Sequence, residues 1–362
     1  MPATINLNNT EEPDIPQSTT LPADKSAIPP GRRPLRAGGR NPQLPLHTPE
    51  LSIVIRYSLF ALLVFTPLAR GSVQSWAVTV MEMVTLLALT LFLLERGLTW
   101  QWKWIKTPLD KPVIVLIILS IVSIFFSLHK QTSIWSFILL IDYLAIFYLV
   151  INTVRTRSQF RQLIYVILSV AVFLAVFGLF KNFGANPFPW WDYPELHYGD
   201  RLMSTFGCPN HLAGYMEMSL PLLLSLFLLG FRPGVNFILG YLTLLILVAL
   251  MLSLSRGGWI STLLSLAFMA IALLSSRYFV RKKLLISLIA GSLILAIVAL
   301  VSTPVVERVK TAMEKEEEAS FYSRVVAWNG VVEMISDYPM VGIGPGTFKT
   351  VFTQYQPPGL SA

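Results

Sequence analysis

The stretch QLIYVILSVAVFLAVFGLF, residues 162–180, decides the fold because no charged side chain interrupts it. As an α-helix it rises about 28 Å, close to the roughly 30 Å hydrocarbon thickness of a bilayer. Charged residues make up only 13% of the chain, about half the share in soluble proteins. Eight further apolar runs of about 17 to 22 residues begin near Leu51, Trp76, Pro112, Ile134, Leu212, Val235, Gly258 and Leu284. We therefore expect an all-α polytopic integral membrane protein with about nine transmembrane helices.

The positive charges are distributed unevenly between the two sides of this predicted bundle. With a cytoplasmic N-terminus, the inner loops at 95–111, 152–161, 231–234 and 276–283 hold twelve Lys or Arg and two acidic residues. The outer segments hold ten basic and ten acidic residues. Basic residues in excess on the cytoplasmic side are the pattern that sets membrane orientation. The formal net charge of +8 thus predicts an orientation, and we expect no nucleic-acid partner.

The composition predicts three regions along the chain. Residues 1–48 are rich in Pro, Thr, Asn and Gly, which is typical of a disordered tail, here on the cytoplasmic side. Residues 49–302 form the transmembrane bundle, with a long outer loop at 181–211. Residues 303–362 form a second outer loop with an amphipathic helix at 323–337, where apolar residues recur at spacings of three and four. Because no apolar run follows, we expect a truncated fragment of a longer bundle.

Two kinds of site are not expected from this sequence. A single cysteine, Cys208, cannot form an internal disulfide or a thiolate metal cluster. Gly342, Gly344 and Gly346 follow no strand-like run, so they do not fit a nucleotide or phosphate loop. We therefore predict no metal site and no cofactor.

Three outer motifs each carry one arginine. They are GDRLMSTFGCPNHLAGY with Arg201, LSLSRGGW with Arg256, and YSRVVAWNG with Arg324. A guanidinium binds phosphate oxygens in a two-pronged geometry and keeps its charge at any relevant pH. Arginines that converge outside a membrane therefore indicate a phosphorylated lipid ligand. The alternative is that each arginine is solvated or pairs with lipid headgroups.

The order of these motifs resembles the O-antigen ligase and polymerase family of bacterial envelopes. The resemblance is carried by R-x-x-x-T-F-G-x-P-N-x-x-A-G-Y, then S-R-G-G-W, then S-R-x-x-x-W followed by P-x-x-G-x-G-x-G-x-F. It covers roughly residues 201–348, whereas the first five spans match the family only in hydropathy. Where the family usually has an asparagine, this chain has Cys208.

The resemblance implies a GT-C-like glycosyltransferase in the bacterial inner (cytoplasmic) membrane, acting in lipopolysaccharide or other polysaccharide biosynthesis. It would take a glycan from undecaprenyl pyrophosphate on the periplasmic side and transfer it, without a metal, to an acceptor hydroxyl. The acceptor is left open between lipid A-core, a lipid-linked glycan and a protein. The resemblance carries over Arg201 and Arg324, with Arg256 beside them, as pyrophosphate-binding residues.

A catalytic base is not assigned by the resemblance. The family's proposed catalytic histidine follows the glycine-rich segment, and no histidine follows Phe348 here. His211 and His197 flank Arg201 on the outer side, and a histidine's pKa suits general-base chemistry near neutral pH. For His211, beside Asn210 at a predicted helix start, we expect a capping and orienting role.

Carboxylates inside the predicted spans are costly and so indicate function. Glu217 lies below His211, and we expect it to line an outward cavity together with Asn210. Asp142 lies near the middle of the fourth span and Glu82 near the outer end of the second. A structural ion pair or a protonated carboxyl would also explain them. Two other functions stay open: a transporter for a small anion such as bicarbonate, with these carboxylates as its path, and a non-catalytic scaffold of polysaccharide assembly.

Overall fold

A computed structural model describes residues 49–100, 102, 104–184, 186, 188–191, 198–199, 201–277, 279–301 and 324–356. The predicted tail, the charged stretch at 302–323 and His197 lie outside these ranges. The described α-helices are α1 (Pro49–Leu68), α2 (Ser75–Thr99), α3 (Asp110–Phe125), α4 (Lys130–Thr153), α5 (Arg157–Asn182), α6 (Pro209–Leu229), α7 (Pro233–Leu252), α8 (Arg256–Ser275), α9 (Lys282–Val301), α10 (324–337) and α11 (Phe348–Phe352). The described part of the chain contains no β-strand.

Seven of the described helices are long and apolar enough to cross a membrane, namely α1, α2, α4, α5, α6, α7 and α8. The two other predicted spans coincide with α3 and α9. Helix α3 has 16 residues and rises about 24 Å, less than the roughly 30 Å hydrocarbon thickness. The all-helical, multi-pass architecture is confirmed, and membrane crossing by α3 and α9 remains a prediction.

The helices pack in two groups, and α5 belongs to both of them. Helix α6 packs against α5, α7 and α8, whereas α1 packs against α2, α4 and α5. Leu174, Met216 and Leu250 are almost completely buried in the core between α5, α6 and α7. The approach of α6 to α8 depends on small residues, because a Cβ added at Gly258 would lie 2.8 Å from the Ala213 Cβ. The absence of a side chain at Gly258 therefore brings these two helices together.

The loop at 201–208 ties several helices together at one end of the bundle. The Thr205 hydroxyl donates to the Pro67 carbonyl at 2.8 Å, and the Leu202 N–H donates to the Leu252 carbonyl at 3.0 Å. These carbonyls belong to the last turns of α1 and α7, where helices leave acceptors without intrahelical partners. The C-terminal ends of α1 and α7 thus lie beside the start of α6, on what we call the site face.

Residues 324–356 form a compact segment in which α10 packs against α11. A Cβ at Gly330 would lie 2.9 Å from the Phe352 ring, so the two helices approach closely there. The Tyr355 hydroxyl donates to Asp337 Oδ2 at 2.6 Å. This hydrogen bond, with some burial, raises the pKa of Tyr355 to about 12. The turn between the helices contains three glycines with positive φ, Gly342, Gly344 and Gly346.

Candidate functional site

A cavity of about 350 Å³ lies on the site face between the starts of α6 and α8. Arg201, Arg256 and Arg324 all line it. Arg201 comes from the loop before α6, Arg256 is the first residue of α8, and Arg324 belongs to α10. Three arginines that are far apart in the sequence are therefore brought to one cavity.

Helix α6 contributes one stripe of side chains to this cavity. Asn210, Gly214 and Glu217 all line it. Their spacings of four and three residues place them on one face of the helix. Gly214 leaves open space in the wall, since a Cβ added there would meet nothing within 4 Å. Asn210 and Glu217, which we expected to line a cavity, thus lie in the wall of this one.

Helix α8 supplies the opposite wall through its first turns. The Ser255 side chain accepts a hydrogen bond from the Gly258 N–H and so caps the helix. Gly257 and Ser261 lie four residues apart and both line the cavity. The Ser261 hydroxyl donates to Glu217 Oε2 and so connects the two walls. Sequence reasoning missed Ser261, although its spacing from Gly257 was a usable signal.

Two acceptors among the described residues hold the Arg201 side chain. Its Nε–H donates to the Ser253 carbonyl at 3.0 Å, and its Nη2 donates to Asn210 Oδ1 at 3.0 Å. Ser253 directly follows the last residue of α7, where helix carbonyls attract positive charge. The next residue, Leu254, lines the cavity at a φ of 48°. Left-handed backbone at a non-glycine residue is costly and recurs at functional sites.

The cavity is positively charged. Its described lining contains three arginines and one carboxylate, Glu217, which leaves a net charge of +2. Arg256 stands at the N-terminal end of α8, where the helix dipole disfavours a cation. A bound anion would offset this cost, because it would be attracted both by the guanidinium and by the helix end. The arrangement is therefore suited to an anionic ligand.

The predicted histidines are placed differently. His211 is exposed on the first turn of α6 and is not among the residues that line the cavity. The expected capping role of His211 is wrong, because Cys208 occupies the N-cap and its side chain makes no capping hydrogen bond. Asparagine, which the family that the motifs resemble usually has at this position, is a favoured N-cap residue. Burial and the neighbouring Cys208 thiol raise the pKa of Tyr198.

Asp142 and Glu82 lie elsewhere in the bundle, on α4 and α2. Asp142 is 8% exposed, and within the described residues its Oδ2 atom is buried without a hydrogen-bond partner. These two carboxylates are not part of the cavity formed by α6 and α8.

Comparison with known proteins gives one family match. Residues 241–361 match the family described as O-antigen ligase, which confirms the resemblance found in the motifs. The matched part contains Arg256 and Arg324, whereas Arg201 precedes it. Neither the curated proteins nor the solved structures gave a significant match.

Proposed function

We propose that this membrane protein, whose residues 241–361 match the O-antigen ligase family, is a glycosyltransferase that uses an undecaprenyl-pyrophosphate-linked glycan. It would transfer the glycan to an acceptor hydroxyl on the periplasmic side. The observation that carries this proposal is the convergence of Arg201, Arg256 and Arg324 on one cavity. Each guanidinium group can donate two parallel hydrogen bonds to the oxygens of a pyrophosphate.

The charge and size of the cavity fit such a donor. The net charge of +2 in the described lining balances the two negative charges of a pyrophosphate diester. At about 350 Å³ the cavity is near the lower end of ligand sites, which span roughly 300 to 1,000 Å³. We infer that it holds the pyrophosphate and the adjoining sugar. The isoprenoid chain would then lie in the bilayer and the remaining glycan in the periplasm.

The proposed chemistry is a direct displacement. The acceptor oxygen attacks the anomeric carbon while the bond from that carbon to the phosphate oxygen breaks, with inversion of configuration. The electron pair leaves with undecaprenyl pyrophosphate, which gains one negative charge, and the three arginines stabilise it. The acceptor's proton passes to a base, for which His211 and His197 remain the candidates. Arginines would supply the positive charge that a divalent cation supplies in metal-dependent transferases.

The positions of the carboxylates favour this reading over a transporter. A transport path would need Asp142, Glu82 and Glu217 along one route through the bundle. Glu82 and Asp142 lie on α2 and α4, which pack together with α1, whereas Glu217 lies on α6, which packs against α5, α7 and α8. The carboxylates are thus divided between two helix groups, while the arginines share one cavity.

Substitution of Arg324 tests the proposal. We expect Arg324→Ala in the full-length protein to reduce glycan transfer tenfold to a hundredfold or more, since a charged hydrogen-bonded contact contributes about 1.5 to 3 kcal/mol. Arg324→Lys should recover only a minor part, because an ammonium lacks the two-pronged geometry. Transfer is measured with each of the three acceptor classes. Arg157→Ala, at an exposed arginine at the start of α5, is the control, and wild-type transfer by Arg324→Ala would refute the proposal.

The periplasmic location of the cavity is tested separately. Topology reporters fused near Leu196 and Ala319 should report the periplasm, and a reporter fused near Arg281 should report the cytoplasm. These outcomes follow from the distribution of basic residues between the loops. A cytoplasmic signal at Ala319 would place the arginines on the wrong side for this donor and would overturn the proposed function.

A further inference from the structure

The glycine-rich turn between α10 and α11 is bound to the C-terminal end of α3 and to the turn between α3 and α4. The Leu128 N–H donates to the Ile343 carbonyl at 3.2 Å. The Ser123 hydroxyl donates to the Val341 carbonyl at 2.9 Å. Two hydrogen bonds therefore join segments that are more than two hundred residues apart in the sequence.

Serines of the α3–α4 turn and of the first two turns of α4 occupy the space that side chains at the glycines would need. A Cβ added at Gly344 would overlap the hydroxyls of Ser127 and Ser133, and one added at Gly346 would overlap the hydroxyl of Ser136. The Ser127 and Ser133 hydroxyl oxygens are 2.6 Å apart, and Ser133 is completely buried. The glycines are thus needed for close contact as well as for their positive φ.

This contact is linked to the cavity through α10. The Asp337–Tyr355 hydrogen bond and the close approach of Gly330 to Phe352 hold α10 against the segment that follows the turn. Arg324 lies at the other end of the described helix, about 20 Å from Asp337 at 1.5 Å per residue. Helix α10 therefore spans the distance from the α3–α4 turn to the cavity.

We propose that the α3–α4 turn and the start of α4 form the docking site that positions Arg324 at the cavity, with Ser127, Ser133 and Ser136 as positioning residues. The role in donor binding rests on the proposed function, whereas the docking itself does not. The turn lies in the part of the chain that resembles the family only in hydropathy. Its residues would act on the donor site through α10 without touching the donor.

Two glycines of the same turn provide a matched pair of variants. Gly342 and Gly346 have φ values of 68° and 73°, so alanine causes similar backbone strain at both positions. At Gly342 an added Cβ meets nothing within 4 Å, whereas at Gly346 it overlaps Ser136. Only Gly346→Ala should therefore disturb the docking. In the double variant with Gly346→Ala, Ser136→Gly should restore the position of α10. It removes the Oγ and Cβ atoms of Ser136, which the new Cβ would overlap.

Spin labels measure the position of α10 directly. Cysteines replace the exposed residues Asn182 and Asn329 in a Cys208→Ser background, and electron spin resonance measures their separation in the full chain in nanodiscs. The parent and Gly342→Ala should give the same narrow distance distribution, and Gly346→Ala a shifted or broadened one. Ser136→Val, which adds bulk from α4, is a second variant in case Gly346→Ala does not fold. A general loss of stability would lower the melting temperature without shifting the distances in the folded protein.

Binding of farnesyl pyrophosphate separates the two proposals. We expect Gly346→Ala to weaken its binding at least tenfold, Gly342→Ala to leave it unchanged, and Ser136→Gly to restore it in the double variant. Unchanged distances in both Gly346→Ala and Ser136→Val would overturn the docking proposal even if binding depends on Arg324. Shifted distances in a protein that does not bind farnesyl pyrophosphate would support the docking and contradict the proposed function.

Discussion

Arg201 and Asn210 are joined by a hydrogen bond of 3.0 Å from the guanidinium Nη2 to the side-chain Oδ1. The same guanidinium donates its Nε–H to the Ser253 carbonyl at 3.0 Å. An acceptor on α6 and another directly after α7 therefore orient the arginine. Such preorganisation lowers the cost of reorganising the site when charge develops on a leaving group.

Two substitutions of Asn210 separate the effect of the cavity's charge from the effect of the hydrogen bond to Arg201. Asn210→Asp keeps an acceptor for Arg201 but adds a negative charge to the cavity, whereas Asn210→Ala only removes the acceptor. We predict that Asp weakens farnesyl pyrophosphate binding tenfold or more, and that Ala weakens it only a few-fold. Equilibrium titration in nanodiscs measures both. Equal or tighter binding by Asn210→Asp would mean that the net charge of the cavity does not govern binding.

Removal of the negative charge of Glu217 should have the opposite effect on anion binding. Glu217→Gln removes the carboxylate but keeps an oxygen that can accept from Ser261. We predict that farnesyl pyrophosphate binds up to tenfold more tightly, and that the gain shrinks at high salt because charges are screened. Ser261→Ala retains the charge and should change the affinity little. Weaker binding by Glu217→Gln would show that this carboxylate does more than balance charge.

Gly214 gives a way to fill the cavity without disturbing the helix packing. Its Cβ position is open within 4 Å, so alanine should be tolerated and should add about 0.5 to 1 kcal/mol of stability. Gly214→Leu places a larger side chain in the cavity and should reduce farnesyl pyrophosphate binding more than tenfold. The melting temperature should not fall in either variant. Unchanged binding by Gly214→Leu would place the anion outside this cavity.

Gly258 is predicted to be required for the close packing of α8 against α6. Gly258→Ala brings two Cβ atoms to 2.8 Å across the contact with Ala213, and such overpacking costs typically about 1 to 3 kcal/mol. Gly257→Ala is the control, since a Cβ there meets nothing within 4 Å. Melting temperatures in detergent should fall for Gly258→Ala alone and recover with Ala213→Gly. A normal melting temperature for Gly258→Ala would contradict the close α6–α8 contact.

The sequence alone was sufficient for features that depend on the length of apolar runs, on side-chain chemistry and on motif spacing. Apolar length predicted the helical spans, since a run such as 162–180 has few alternatives to crossing a bilayer. The charge and geometry of guanidinium groups identified Arg201, Arg256 and Arg324 as candidates for one anion site. Motif order gave the resemblance to the O-antigen ligase family, which the match of residues 241–361 supports, because it preserves several spacings at once.

The remaining features depend on which helices are neighbours, and periodicity does not show this. The Ser261–Glu217 hydrogen bond requires α6 and α8 to pack closely, which in turn requires Gly258 opposite Ala213. The contact of Gly346 with Ser136 joins distant parts of the chain. The wrong capping role for His211 came from the helix boundary, because α6 begins at Pro209, three residues before the predicted start near Leu212.

A double-mutant cycle between Arg201 and Arg324 tests most directly whether the arginines form one anion site. The affinity for farnesyl pyrophosphate is measured for the wild type, Arg201→Ala, Arg324→Ala and the double variant in nanodiscs. We predict that each single change weakens binding at least tenfold and that the two losses are not additive, because both groups contact the same pyrophosphate. Losses that add independently, or no loss in either single variant, would contradict a shared site.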